Sequence, residues 1–152
     1  MTVLISLLLV LIAATGAWIA LQQMLIARTK LNHDLFDKRF AIYKATRNYM
    51  NIMLRDKGGT QEDAVKWFEI ASGAPFLFDD ELVKYIKEIE LHGQNIRATV
   101  GGKPLYEVKE QVAVYNENYM WIGQNFGVLE EKFKPSLSLL KLKPFSISSI
   151  LP

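Results

Sequence analysis

The nineteen residues from Val3 to Leu21 carry no charge, and Ser6 and Thr15 hold their only hydroxyls. In a helix rising about 1.5 Å per residue they span about 28 Å, close to the hydrocarbon thickness of a bilayer. The charge-free stretch extends to Ala27, and residues 1–27 hold 21 apolar residues. A run this long and this apolar is read as a transmembrane helix. Trp18 lies near its end, where an indole favours the membrane interface. The alternative is a cleaved signal peptide. Such a peptide wants a basic segment ahead of its apolar core, and only Met1 and Thr2 precede this one. The small residues Ala13 to Ala17 would nonetheless suit a cleavage site.

Orientation follows from the flanking cations. None precedes the run, whereas residues 28–47 carry Arg28, Lys30, Lys38, Arg39, Lys44 and Arg47. The positive-inside rule puts the C-terminal portion in the cytoplasm and the N-terminus outside. Arg28 and Lys30 then sit at the membrane surface. Within the anchor, Ala13, Gly16, Ala17 and Ala20 recur at three- and four-residue spacing, and small residues let membrane helices approach closely. That face is the candidate for self-association.

The remaining chain has an ordinary globular composition and no Cys, which excludes a disulfide scaffold, a Cys-ligated metal and a thiol nucleophile. No Pro or Gly occurs between Gln22 and Lys57, so the anchor helix should continue into the cytoplasm. Two apolar stripes run along it: Phe36, Phe40, Tyr43, Met50 and Leu54, and Leu31, Leu35, Ile42, Tyr49 and Ile52. A face this broad suits a bundle. Gly58-Gly59 stops the helix. Thr60 with Asp63 resembles a capping box for a short helix over about 61–72, with Val65 and Phe68 inward. Asp79 should cap a third helix, with Asp80 and Glu81 in its first turn, where the helix dipole favours acids. Its stripe is Leu82, Ile86, Ile89, Ile96 and Val100, with Gly93 in the missing place and Gly101-Gly102 as the stop. A fourth helix should start at Pro104 and bury Leu105, Val108, Val112, Tyr115, Tyr119, Ile122, Phe126, Leu129 and Phe133, until Pro135 ends it. The remainder alternates partly and suits an extended segment. The expected organisation is an anchor (1–27), a cytoplasmic antiparallel helical bundle (28–135) and a basic, apolar tail (136–152), an all-α protein.

Charge is distributed in blocks. Residues 28–57 carry eight Lys or Arg and three acids, residues 58–131 carry six and thirteen, and residues 132–152 carry four Lys and no acid. Lys141 and Lys143, interleaved with Leu, would suit an anionic leaflet. The basic residues form no stripe or motif for nucleic acid.

Chemistry has few candidates. His33, Asp34 and Asp37 cluster, but a metal wants three or four ligands and no further His or Cys is placed to complete them. There is no phosphate loop, dinucleotide fingerprint or HExxH motif. The expectation is a non-enzymatic protein without cofactor or metal. Interaction candidates are the acids Asp79, Asp80 and Glu81, Trp121 if it lies exposed, and Arg47, which interrupts an apolar stripe and would pair with an acid such as Glu130 or Glu131.

Three segments in order carry a likeness: Lys30 to Tyr43 (KLNHDLFDKRFAIY) after the basic exit, Phe76 to Glu81 (FLFDDE), and Phe133-Lys134-Pro135. With the anchor ahead of them, they resemble a widespread group of small bacterial single-pass membrane proteins to which no activity is attached. The resemblance implies a bacterial inner-membrane protein and carries no catalytic residues. The chain departs from the pattern at Ser136, where an aromatic residue is expected. The functional expectation is a membrane-tethered interaction or scaffold module that engages the bilayer and a protein partner or a second copy of itself. The alternative is a membrane-acting stress or phage-defence effector whose bundle senses a signal. A reporter fused after Pro152 is expected to work only in the cytoplasm; activity outside the inner membrane would overturn the orientation.

Overall fold

The computed structural model of the chain describes residues 2–101 and 108–138. These form α1 (Thr2–Arg55), α2 (Gln61–Ala71), a 3-10 turn (Ala74–Phe76), α3 (Asp80–Val100) and α4 (Val108–Leu137), with no strand among them. The described residues are helical in all their regular structure, as the periodicity predicts. Lys141, Lys143 and the expected start of helix four at Pro104 lie outside the described residues. The chain divides into two compact units, Met1–Phe36 and Asp37–Pro152.

The first unit is a single helical stretch whose described side chains are exposed from Val3 to Leu31. It is long and apolar enough to cross a membrane. Two of its hydroxyls bond back to the helix: Thr15 Oγ1 donates to Ile12 O at 2.9 Å and Thr29 Oγ1 to Leu25 O at 3.0 Å. A polar group among apolar surroundings needs such an internal partner. A Cβ added at Gly16 would meet nothing within 4 Å, so the small-residue face is open.

The second unit holds the core. From α1 it takes Ile42, Tyr43, Thr46, Tyr49, Met50 and Met53, all buried. Both apolar stripes therefore contribute, and Thr46 and Met53 fill the seam between them. Lys57, Gly58 and Gly59 have φ of 50°, 104° and 64°, and these left-handed residues reverse the chain. Gly59 is required twice over, because a Cβ there would also collide with Ile52 Cγ2. Thr60 caps α2 as expected: its hydroxyl accepts from Asp63 N at 3.1 Å, and the Asp63 carboxylate accepts from Thr60 N at 2.9 Å. The Thr60 hydroxyl also donates to Asp63 Oδ2 at 2.7 Å, and this bond, with the one from Thr60 N, holds the Asp63 carboxyl below its ordinary range.

The inward face of α2 differs from the expectation. Ala64, Trp67 and Ala71 are buried, while Val65 and Phe68 are 46% and 54% exposed. The periodicity is right and the phase is one residue off. Trp67 decides it: its ring stacks on Tyr49 at 4.4 Å and its Nε1–H donates to buried Thr46 Oγ1 at 3.3 Å. Alanines one turn either side let the backbone come close enough for that stack.

In α3 the expected residues Leu82, Ile86, Ile89 and Ile96 are buried, joined by Tyr85 and Gly93. Val100, the last residue of the helix, is 49% exposed. The α4 stripe packs from Tyr115 onward, while Val112 is exposed. Pro135 does not end α4, which runs to Leu137. A proline in the last turn removes one N–H and frees one carbonyl, that of Glu131, on the exposed side of the helix. Ser136 and Leu137 are therefore helical rather than extended.

Gly93 is the close approach in this core. A Cβ there would run into the Tyr49 hydroxyl and stand 2.9 Å from Tyr49 Cζ. Gly93→Ala should gain about 1 kcal/mol of helix propensity but lose about 1–3 kcal/mol by overpacking, because Tyr49, stacked on Trp67, has nowhere to retreat. Gly127→Ala, where a Cβ meets nothing within 4 Å, should only gain. Thermal unfolding of the detergent-solubilised chain is expected to show a lowered Tm for the first variant and an unchanged or raised one for the second. A Gly93→Ala protein as stable as the parent would contradict the packing.

Candidate functional site

Two groups of polar and aromatic side chains are built into the bundle. The first gathers where α1, α2 and α3 meet. Tyr49 is 1% exposed, and its hydroxyl accepts from Arg97 Nη1 at 2.6 Å. Burial pushes the Tyr49 phenol above its ordinary value, and the Arg97 guanidinium opposes part of that rise. Arg97 is placed by Gly58, where a Cβ would stand 3.4 Å from Arg97 Cγ. Outside this junction lies a cleft of about 230 Å³, walled by Trp67 and Phe68 and edged by Gln61, Glu90, Gln94 and Arg97. It shares Trp67, Phe68 and Glu90 as lining with a more apolar cleft of about 220 Å³ that reaches Ala74 and Pro75. Both clefts lie between α2 and α3, with the displaced Phe68 on the wall of each and Val65 on the wall of the first.

The second group lies between α3 and α4. Asn118 is 4% exposed. Its Nδ2 donates to Val114 O at 2.6 Å, which leaves Oδ1 to accept from Asn95 Nδ2 at 3.1 Å. His92 Nδ1 lies 2.6 Å from the same Oδ1, so Nδ1 is the ring nitrogen that carries the hydrogen. The imidazole stacks on Trp121 with centroids 4.0 Å apart and planes 16° apart. Farther along the seam Tyr85 donates to Asn125 O at 3.0 Å, and burial raises its phenol to about 12. Tyr119 donates to Leu54 O at 3.2 Å, near the C-terminal end of α1.

The interaction candidates fall apart in space and in role. Asp79 accepts from Leu82 N at 2.9 Å as the cap of α3. Asp80 is exposed, and Glu81 pairs with Lys132 at 3.3 Å. Trp121 is half-buried against His92. Arg47 is exposed; it donates to the Tyr43 hydroxyl at 3.1 Å and lies 5.8 Å from the Phe126 ring centroid, so its partners are aromatic rather than Glu130 or Glu131. Arg28 and Lys30 are exposed on α1, as are Ala13, Ala17 and Ala20.

Two working residues were not singled out from the sequence. Asn118 is polar, which by itself argues against a core position. Its spacing of three from Tyr115 and four from Ile122 is nevertheless core spacing, and that was the available signal. Arg39, counted only as a flanking cation, ties two distant segments to α1: Nε donates to Leu77 O at 2.9 Å and Nη1 to Ser136 O at 3.1 Å. No local pattern marks a contact across 97 residues of sequence.

Chemically the arrangement offers hydrogen bonding, stacking and apolar surface. Among the described residues, no group of three or more His, Asp or Glu stands where it could hold a metal ion. No buried side-chain nitrogen or oxygen among them lacks a partner. Asn118→Ala removes the acceptor shared by His92 and Asn95, and should cost about 1–3 kcal/mol. Asn116→Ala, on the exposed side of the same helix, should stay within about 0.5 kcal/mol of the parent. Equal effects on the unfolding midpoint would contradict the buried seam.

Comparison of the chain with protein families, with curated proteins and with solved structures gives no match.

Proposed function

We propose that the chain is a membrane-tethered helical module without catalytic activity, which assembles with a partner protein or with further copies of itself at a bacterial inner membrane. One observation carries this reading. The described side chains of the uncharged part of α1, from Val3 to Ala27, are exposed, while the same helix goes on to bury Ile42, Tyr49 and Met53 in a folded core. An apolar surface of that length exceeds what a soluble monomer normally exposes, and a bilayer is the solvent that suits it. Arg28 and Lys30 at its exit favour a cytoplasmic bundle.

The contacts also support an antiparallel, up-and-down order for the bundle. Between α1 and α4, Arg39 meets Ser136, Tyr43 meets Phe133 and Leu54 meets Tyr119. Between α3 and α4, Glu81 meets Lys132, Tyr85 meets Asn125 and His92 meets Asn118. Numbers rise in one helix as they fall in the other. The seam's polar groups are satisfied by one another, which favours a structural and recognition role over acid–base or nucleophilic work. Tethering then acts by concentration: a partner held at the membrane meets other membrane components far more often than one free in solution.

The open face of Ala13, Gly16, Ala17 and Ala20 favours self-association as one form of this assembly. The intact chain in lipid nanodiscs is expected to have the mass of a defined homo-oligomer, or to retain a second protein in fixed ratio. In the first case Gly16→Ile should dissociate it. A lone monomer with no retained protein would overturn the proposal.

A further inference from the structure

The face that α2 and α3 turn outward leaves apolar side chains open beside two clefts. Val65 and Phe68 are 46% and 54% exposed there. Phe68 lines both clefts, of about 230 and 220 Å³. A cavity of about 150 Å³ already lodges a benzene ring, so either cleft has room for one phenyl side chain from outside.

The two rims of this face carry opposite charges. Gln61 lies with Arg97 in one cleft, and Pro75 with Val83 in the other, so α2 and α3 run antiparallel. Glu69, next to Phe68 on α2, therefore stands within about one helical turn of the level of Lys87 on α3. Both are exposed. Neither forms an ion pair or a side-chain hydrogen bond among the described residues, whereas Glu62 is taken by Lys66 and Glu81 by Lys132. A twofold axis parallel to the two helices lays α2 of one copy over α3 of another and brings these charges together twice. It also keeps the Arg39 ends of both copies on one side, as two chains anchored in one bilayer require. We infer that the α2–α3 face pairs with the same face of a second copy about such an axis, each Phe68 ring seated in a cleft of the other copy and each Glu69 paired with the other's Lys87. Such pairing rests on the self-assembly proposed above and adds a surface in the folded unit to the small-residue face of the anchor.

The test uses the full chain with a dye attached through Asn116→Cys, an exposed site on α4 in a protein with no Cys of its own. Donor- and acceptor-labelled chains are mixed, and pairing is read by energy transfer in vesicles and in mild detergent. Flotation of the same vesicles reads the tether separately. Glu69→Lys should weaken pairing about two- to thirtyfold, the range that two exposed ion pairs allow. Adding Lys87→Glu to it should restore pairing, a rescue that general damage to the fold does not give. Phe68→Ser should weaken pairing about tenfold or more, because each copy loses a ring that pairing buries. No energy transfer, transfer that ignores Glu69→Lys, or a double reversal no better than the single one overturns the shared face, and a chain that still floats with the vesicles leaves the tether standing. A chain that fails to float overturns the tether, and the charge rescue in detergent then decides the face on its own.

Discussion

Tyr49 resting on Gly93 is the contact on which the rest of the bundle depends. Gly93 provides the space, and Trp67 covers the other side of the ring at 4.4 Å. Arg97 then donates to the Tyr49 hydroxyl oxygen and Thr46 accepts from the Trp67 N–H, so both polar groups that these rings bring inside are paired. One helix from each part of the sequence up to residue 100 therefore contributes to one junction. The phase of α2, the placement of Arg97 and the tight glycine turn at 58–59 all follow from it. Buried polar atoms make such a junction demanding: each must be paired, and pairing fixes one arrangement among many.

The fourth helix joins through a different chemistry. It buries Ile122, Leu129 and Phe133, and it meets α3 through the Asn118–His92–Asn95 chain. An apolar stripe alone tolerates sliding by a turn, whereas an amide shared between three partners does not. At the other end Arg39 supplies donors to carbonyls of two separate segments, at the positions where helix ends leave them unpaired. The polar groups of this bundle thus set register, and the apolar groups supply most of the driving force.

The sequence made helices legible where a local rule suffices. Thr60 with Asp63, Asp79 before α3, the glycine pair after α1 and Gly101 after α3 are read from a few neighbouring residues, and the structure places the boundaries there. Phase and partnership depend on distant residues. Val65 and Phe68 looked like the inner face of α2 because size and apolarity were the only guides, yet Trp67 won through a ring on another helix. Arg47 had acids within plausible reach and took aromatic rings instead. Pro135 looked like a stop because a proline interrupts a helix that continues well beyond it, and here only two helical residues follow. The candidate site suffered most, since Asn118 and Arg39 act through contacts far away in sequence.

On the tethering proposal one helix serves two solvents, with its first part in lipid and its last part in a packed core. Hydrogen exchange of the intact chain in nanodiscs tests this most directly. The account predicts slow exchange along residues 3–27 only while lipid is present, and slow exchange around Ile42 to Met53 whether the chain is held in lipid or in mild detergent. Rapid exchange along residues 3–27 in nanodiscs, or protection of Ile42 to Met53 that disappears with the bilayer, would contradict it.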